Sequence, residues 1–477
     1  MRWKHVGFYV AMLLIFGGGV VALLQLGARP LPETVTRPPL PVDGTSHSPW
    51  AMLATSLHHP LNILLVQLIV IILATRGMGR LFRRIQQPAV IGEMVAGILL
   101  GPSCVGLLWP EVQGALFPAS SMDTLRLLSQ IGVILFMFAV GMELDVQQLR
   151  GQAHAAVLVS HASIVVPFFL GTALAVVLYP VLVPVHVPFS AFALFLGISM
   201  SITAFPVLAR ILEDRGLSRT PLGLVVIACA AVDDVTAWCL LAIVVAVAQA
   251  TALDGALLTI VLAFGFIVLM LGGLKPQAER LLAQYAHGEA PSRGLLAGVL
   301  VLVFTAALCT EIIGIHALFG AFLAGVILPA RARLTVFLRE RLDMFSAVFL
   351  LPLFFAFTGL RTQIGLLNTW QSWGLCAAIV AVAIAGKLGG SALAARWTGM
   401  RWSEALSVGA LMNTRGLMEL IALNIGYDLG ILTPQLFAMM VLMALTTTFM
   451  TGPLLWWLNW LGHREPLLTT GKPGIVM

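Results

Sequence analysis

Long apolar runs, separated by short segments that carry most of the charge, set the pattern of this chain. Thirteen runs fall at about 60–76, 88–107, 124–143, 154–179, 187–210, 221–248, 254–274, 294–310, 313–330, 343–366, 372–395, 404–426 and 433–460. About 20 apolar residues wound as a helix cover about 30 Å, the hydrocarbon thickness of a bilayer. The pattern therefore predicts an all-α polytopic membrane protein. Runs 294–310 and 313–330 are separated almost only by Glu311 and need a very tight turn. Ahead of the thirteen, Arg2 and Lys4 precede an extra apolar segment, read as a signal peptide or a signal-anchor helix over 1–28. Residues 29–59, with Pro30, Pro32, Pro38, Pro39, Pro41 and Pro49, form an extended extracytoplasmic linker. Residues 463–477 make a cytoplasmic tail.

The thirteen runs also suggest symmetry: six over 60–248, one alone at 254–274, and six over 294–460. That order places two six-helix halves in opposite orientations, as in inverted-repeat transporters. The fifth members, 187–210 and 404–426, both look interrupted. In Ser199-Met200-Ser201-Ile202-Thr203-Ala204-Phe205-Pro206, Pro206 removes the bond to the Ile202 carbonyl. The second reads Leu411-Met412-Asn413-Thr414-Arg415-Gly416-Leu417-Met418-Glu419, polar or flexible from Asn413 to Gly416. A packing kink explains either one alone. Interruptions at matching places point to a midplane site, where hydroxyls and freed carbonyls can coordinate a small cation.

Composition sharpens the class. The chain is 59% hydrophobic and 10% charged with mean hydropathy +0.98, against about 25% charged in soluble domains. A net charge of +6 does not imply nucleic acid, because the basic residues sit between apolar runs rather than in a stripe. With the first segment entering from the cytoplasm, 21 of the 27 Lys and Arg fall in cytoplasmic loops, which puts the C-terminus inside. Cys104, Cys229, Cys239, Cys309 and Cys376 lie in apolar runs without C-x-x-C spacing and read as buried hydrophobes.

Asp233 and Asp234 stand at the middle of run 221–248. An ionisable residue at that depth is unfavourable by about 3 kcal/mol and marks a site of charge or proton movement. Helix neighbours point about 100° apart, so the two acids cannot share a partner. One can bond a buried cation while the other faces a cavity. Lys387, flanked by Gly386 and Gly389, is the candidate cation; a lysine reaching toward the interface is the alternative. Arg415 and Glu419 can pair at i,i+4, or Arg415 can offset half-helix C-terminal dipoles. Glu93, Glu143 and Asp145 read as solvated span ends, and His161 and His316 as core histidines without metal spacing.

With these residues located, the chain resembles the monovalent cation:proton antiporter-2 family of bacterial Na+/H+ or K+/H+ antiporters and plant cation/H+ exchangers. The likeness is carried by Gln87–Glu93 through Gly101-Pro102-Ser103, by Ser201–Arg210, and by Asp233-Asp234 with Ala237-Trp238. It continues through Phe354–Leu360, Gly386-Lys387 and Met412–Leu417. The resemblance implies a thirteen-helix antiporter fold with two inverted six-helix repeats and two crossing broken helices. The exchanger domain would be 60–462, with a scaffold and dimer part at about 60–143 and 294–366 and a core at about 154–248 and 372–460. It implies that Asp234 binds Na+ or K+ and H+ in competition, that Asp233 pairs with Lys387, and that Thr203 and Asn413 lie near the crossing, so that Asp234, Asp233, Thr203 and Asn413 make up the cation- and proton-binding set. Ser201, Pro206, Thr414, Arg415 and Glu419 would support the broken helices. An Asp-Asp pair with a lysine looks like the electrogenic members. The family's potassium-efflux relatives carry a C-terminal nucleotide-binding domain, and no G-x-G-x-x-G follows Trp460 here, so regulation by that route is not expected.

The reading is a secondary antiporter in a bacterial inner or plasma membrane, needing no cofactor and forming a homodimer. A gated, channel-like K+ efflux path is the alternative. An intramembrane aspartyl protease needs its two acids on separate helices facing one another, which adjacent Asp233 and Asp234 cannot do.

Overall fold

The computed structural model describes residues 11–12, 15–19, 59–143, 153–183, 187–217, 220–249, 253–284, 293–328, 337–338 and 345–462. Regular structure among them is helical throughout. Most of segment 1–28, nearly all of linker 29–59, Asp145 and tail 463–477 lie outside the described residues. Within the first segment, Phe16 packs edge-on to Phe169 at 5.1 Å.

The first half runs α1 (Pro60–Arg84), α2 (Ala89–Leu100), α3 (Ala119–Glu143), α4 (Ala153–Leu182), α5 (Phe189–Ser201), α6 (Phe205–Asp214) and α7 (Pro221–Gln249). Next come α8 (Leu253–Val268) and α9 (Lys275–Gln284), joined by a π-helical turn. The second half is α10 (Arg293–Ile313), α11 (Ala317–Val326), α12 (Leu351–Arg361), α13 (Trp370–Ile384), α14 (Gly390–Trp397), α15 (Trp402–Met412), α16 (Leu417–Asp428) and α17 (Pro434–Gly462). Ten of the described helical stretches are long and apolar enough to cross a membrane, and two shorter apolar helices, α5 and α11, accompany them. Large apolar side chains such as Leu73, Phe264 and Val301 cover the outside, as a lipid-facing surface requires.

Three local features depart from the sequence reading. The tight turn falls after Glu311, because α10 continues to Ile313 and reverses at Gly314 (φ +92°) and His316 (φ +75°). Glu311 then accepts a bond from the Ala317 amide at 2.7 Å, holding the start of α11. His316 is thus a turn residue at the head of α11 and no core histidine. The cysteines are not uniformly buried: Cys229 and Cys376 are, whereas Cys239 is exposed on the apolar exterior.

Two groups of helices pack mainly among themselves. In one, α2 lies against α1 and α12, and α3 against α11. In the other, α4 lies against α5, α7 and α14, and α13 and α15 against α17. The α3–α11 contact is backbone on backbone. A Cβ on Gly141 would lie 2.2 Å from the Phe322 carbonyl oxygen, and one on Gly325 equally close to that of Phe138. Without a hydrophobic drive between helices in lipid, such small-residue approaches supply the packing. Gly141→Ala is therefore expected to destabilise the protein by at least the ~1–3 kcal/mol typical of overpacking. An unchanged unfolding temperature of the purified variant in detergent would contradict this approach.

Candidate functional site

The helix α7 carries Asp233 and Asp234 near its middle, and its pitch turns them to different surroundings. Asp233 is fully buried and fully bonded. Its Oδ1 accepts from the Ser163 hydroxyl of α4 at 2.8 Å, and its Oδ2 accepts from Lys387 Nζ at 2.9 Å and from the Thr203 hydroxyl. Lys387, also fully buried, sits in a π-helical turn, Ala385–Gly389, between α13 and α14. An ammonium group has three donors. Lys387 directs them at Asp233 Oδ2, at the Ser163 carbonyl (3.0 Å) and at the Ser201 carbonyl. A buried ion pair is tolerated only with such complete bonding.

The two interrupted stretches meet beside this pair. The first is open at Ile202–Ala204, between α5 and α6, and the second at Asn413–Gly416, between α15 and α16. The Ala204 amide donates to the Thr414 carbonyl at 3.2 Å, and the Thr203 hydroxyl approaches the Met412 carbonyl at 3.3 Å. Pro206 occupies the first turn of α6, where a missing N–H leaves no bond unmade. The C-terminal carbonyls of α5 are met by cations. Arg415 donates to Ser199 O at 3.0 Å and Met200 O at 2.6 Å, and Lys387 takes Ser201 O. Arg415 also pairs with Glu419 at 3.0 Å, so both arrangements open to it from sequence occur together. From α17, the Thr448 hydroxyl accepts from the Arg415 amide at 3.0 Å and donates to its carbonyl at 2.7 Å. The Thr414 and Thr451 hydroxyls lie 3.4 Å apart. Ser201 bonds back to Gly197 O at 2.8 Å and across to Ile164 O at 3.0 Å.

Asp234 is different. It is 3% exposed and lines a cavity of about 10 Å³ with Ile202, Ala237, Trp238, Leu241 and Met418. Its Oδ1 has no hydrogen-bond partner. The backbone of Phe205, first residue of α6, faces its carboxyl group. Thr203 and Asn413 do not line this cavity. The Thr203 hydroxyl turns to Asp233, and Asn413 turns its amide nitrogen to Met450 Sδ at 3.8 Å, leaving its buried Oδ1 unpartnered.

Sequence reading passed over Ser163, Thr448 and Thr451, which hold the pair and the second break. The polar cluster at Thr446–Thr448 and Thr451, inside an apolar span, was the available signal for the threonines; Ser163 had none. It also passed over Asp428. That residue pairs with Arg361 and, at 3.4 Å, with Arg126, while Arg361 donates to Asn424 at 2.9 Å. This cluster ties α3 and α12 to α16 at one end of the bundle. Glu93 is not a solvated span end: it is half-buried in α2, close to Gly79 of α1. The side chain of Glu143 lies outside the described residues, and His161 bonds within its own helix to Val157 O at 2.8 Å. No cluster of three His, Cys, Asp or Glu occurs among the described residues.

An apolar helical bundle with two interrupted helices crossing at buried charges has the architecture of a secondary transporter. Residues 68–458 match the family model described as the transmembrane sodium/hydrogen exchanger, and the chain belongs to that family of multi-pass membrane transporters. It is 47% identical over 395 residues to the Na(+)/H(+) antiporter NhaS4 of Synechocystis sp. (strain ATCC 27184 / PCC 6803 / Kazusa), covering 83% of this chain and 96% of that one. It is 39% identical to the Cation/H(+) antiporter 17 of Arabidopsis thaliana and 34% to the K(+)/H(+) antiporter 1 of Saccharomyces cerevisiae (strain ATCC 204508 / S288c). Those matches cover 83% of this chain but 48% and 46% of the relatives, so the chain spans about half the length of each. The structure of the sodium proton antiporter MjNhaP1 from Methanocaldococcus jannaschii superposes with TM-score 0.62 at 15% identity, over 89% of this chain and 99% of that one. At that identity the likeness shows the fold.

The bonding around Asp233 gives an expected outcome independent of transport. Lys387→Met leaves the Asp233 charge buried without its counter-ion and should cost about 3–5 kcal/mol of stability. Adding Asp233→Asn should restore a large part of that loss. Unfolding temperatures of the two variants in detergent test the coupling; purely additive losses would refute it.

Proposed function

We propose that the chain exchanges Na+ or K+ for H+ across the membrane by alternating access, with the Asp234 carboxyl group binding cation and proton in turn. One observation carries the reading. The buried charges among the described residues are three carboxylates, Asp233, Asp234 and Glu419, and two cations, Lys387 and Arg415. Lys387 pairs with Asp233 and Arg415 with Glu419, which leaves Asp234 over. A carboxylate without a cation at that depth takes up a proton or a metal cation, and not both at once. That competition is the coupling of an antiporter. The names of the relatives, which are antiporters of Na+, K+ or unspecified cations with H+, support the same class of substrate.

In this reading Asp233 and Lys387 stay paired and set the field at Asp234. Thr203 acts through Asp233, and the Asn413 oxygen is available to a cation that enters the crossing. Ser201, Pro206, Thr414, Arg415 and Glu419 keep the two breaks open. The group containing α1–α3 and α10–α12 is the scaffold and the homodimer surface, and the group containing α4–α7 and α13–α17 is the moving core. The C-terminus is cytoplasmic, by the distribution of basic residues. If only Asp234 exchanges, one H+ moves per cation and the cycle is electroneutral. If the Asp233–Lys387 pair also releases a proton on cation entry, each cycle moves net charge, worth about 2.3 kcal/mol per 100 mV.

Purified protein in liposomes with a pH dye tests this with Na+, K+ and Li+. Cation-dependent alkalinisation is expected for at least one ion, and its absence for all three would sink the reading. Asp234→Asn should abolish exchange with folding intact, whereas a fully active variant would remove Asp234 from its role. Wild-type exchange that does not respond to an imposed potential fits a pair that stays closed; where it does respond, Asp233→Asn should remove the response, and an unaltered response would exclude the pair from charge movement.

A further inference from the structure

A cavity of about 450 Å³ lies apart from the Asp234 site, where the two helix groups come together. The α1–α2 corner contributes Arg83, Gln86 and Gln87, and the opposite wall is made by Arg215, Thr448 and Gly452. Arg215 follows α6, and Thr448 and Gly452 belong to α17. No acidic side chain lines the cavity among the described residues, so an open polar space faces two guanidinium groups. Glu93 of α2 is near enough to act on Arg83 but does not line the space.

Three details suit an anion. A guanidinium has five donors, and the bond from Arg215 to Gly452 O at 3.1 Å uses one of them. Gln87 is 7% exposed yet its Oε1 has no hydrogen-bond partner. Its carboxamide can present either the oxygen or, turned over, the NH2 group to a ligand. Gly452 keeps the space open, since a Cβ there would lie 3.3 Å from both Arg215 Nη2 and Gln87 Nε2. Partial desolvation also lowers the Arg215 pKa from its ordinary value, a cost that a bound anion relieves.

We propose that this cavity binds a phosphate group between Arg83 and Arg215, and that the bound phosphate ties the two helix groups together and slows exchange. The planar fork of arginine matches two phosphate oxygens at once, which is the geometry two guanidinium groups on facing walls provide. The phosphate can be free in solution or the headgroup of a lipid, for the cavity is larger than the group itself. Binding stands on the cavity alone; the slowing rests on the exchange reading.

The full chain in phosphate-free detergent micelles is titrated with inorganic phosphate and, separately, with a short-chain phosphatidic acid, with phosphatidylcholine as control. Saturable binding heat and a raised unfolding temperature are expected for at least one of the first two. Inorganic phosphate acting alone identifies a soluble anion; phosphatidic acid acting alone identifies a lipid headgroup. Arg83→Gln and Arg215→Gln should each weaken binding by about tenfold, or 1.4 kcal/mol. Gly452→Val, which fills the space from the α17 wall, should weaken it independently of charge. No saturable binding by either ligand, or affinity unchanged in all three variants, overturns the site. In liposomes the same ligand should slow wild-type exchange and leave Arg83→Gln unaffected. Binding with undiminished exchange overturns the tie between the groups, while a chain that exchanges no cation at all bears on the transport reading and not on the cavity.

Discussion

Charge balance in the middle of the bundle is the constraint on which the site depends. The five buried charges of the described chain lie within two helical breaks and the helices beside them. An uncompensated charge at that depth costs several kcal/mol, so each cation must be matched and fully bonded. Lys387 and Arg415 do more than neutralise carboxylates. Between them they take the carbonyls of Ser199, Met200 and Ser201, which α5 leaves unpaired by ending inside the protein. A helix end without such partners would be untenable in lipid. The break in α5–α6 and the two buried cations therefore require one another, and the unmatched charge falls to Asp234.

The second break is held by different means. Thr448 brackets the backbone of Arg415 with two bonds, and Thr414 meets Thr451. These are neutral hydrogen bonds, each worth about 1 kcal/mol net. The charged group of this stretch, Arg415, reaches the end of α5 at the first break, and Glu419 of α16 pairs with it there. Each interrupted helix is thus supported by the other, with α17 behind them, and the crossing cannot be taken apart one helix at a time.

Much of this frame could be read from sequence, and the limit is a physical one. Apolar run length set out most of the helices of the described residues, because hydrocarbon imposes length and satisfaction of the backbone on every span. Pro206 and the Asn413–Gly416 stretch marked the breaks, and the rarity of buried charge marked Asp233, Asp234 and Lys387. The angular separation of helix neighbours alone divides the two acids. What sequence did not hold is where a hydroxyl points. Thr203 and Asn413, expected from the resemblance among the ion's ligands, turn to Asp233 and Met450, away from the Asp234 cavity. Ser163 is one serine among many apolar neighbours until α4 is laid against α7. Asp428 ends a span like any other acid until Arg361 and Arg126 are brought to it from other helices.

The two classes of ion pair differ in what they allow to move. Arg126 keeps 39% of its side-chain surface exposed and is screened by water, so its pair with Asp428 contributes about 1 kcal/mol or less, whereas Arg361 and Asp428, at 14% and 16%, are shielded better. Asp233 and Lys387 have no exposure, and separating them would cost about 3–5 kcal/mol. A rearrangement driven by about 100 mV acting on one charge has about 2.3 kcal/mol at its disposal. That is enough to release the Arg126 pair that ties α16 to α3, and not enough to part the buried pair. In the proposed exchange, movement would therefore belong to the seams between the helix groups, with the crossing, its cations and Asp233 travelling as one piece and Asp234 carried at its edge.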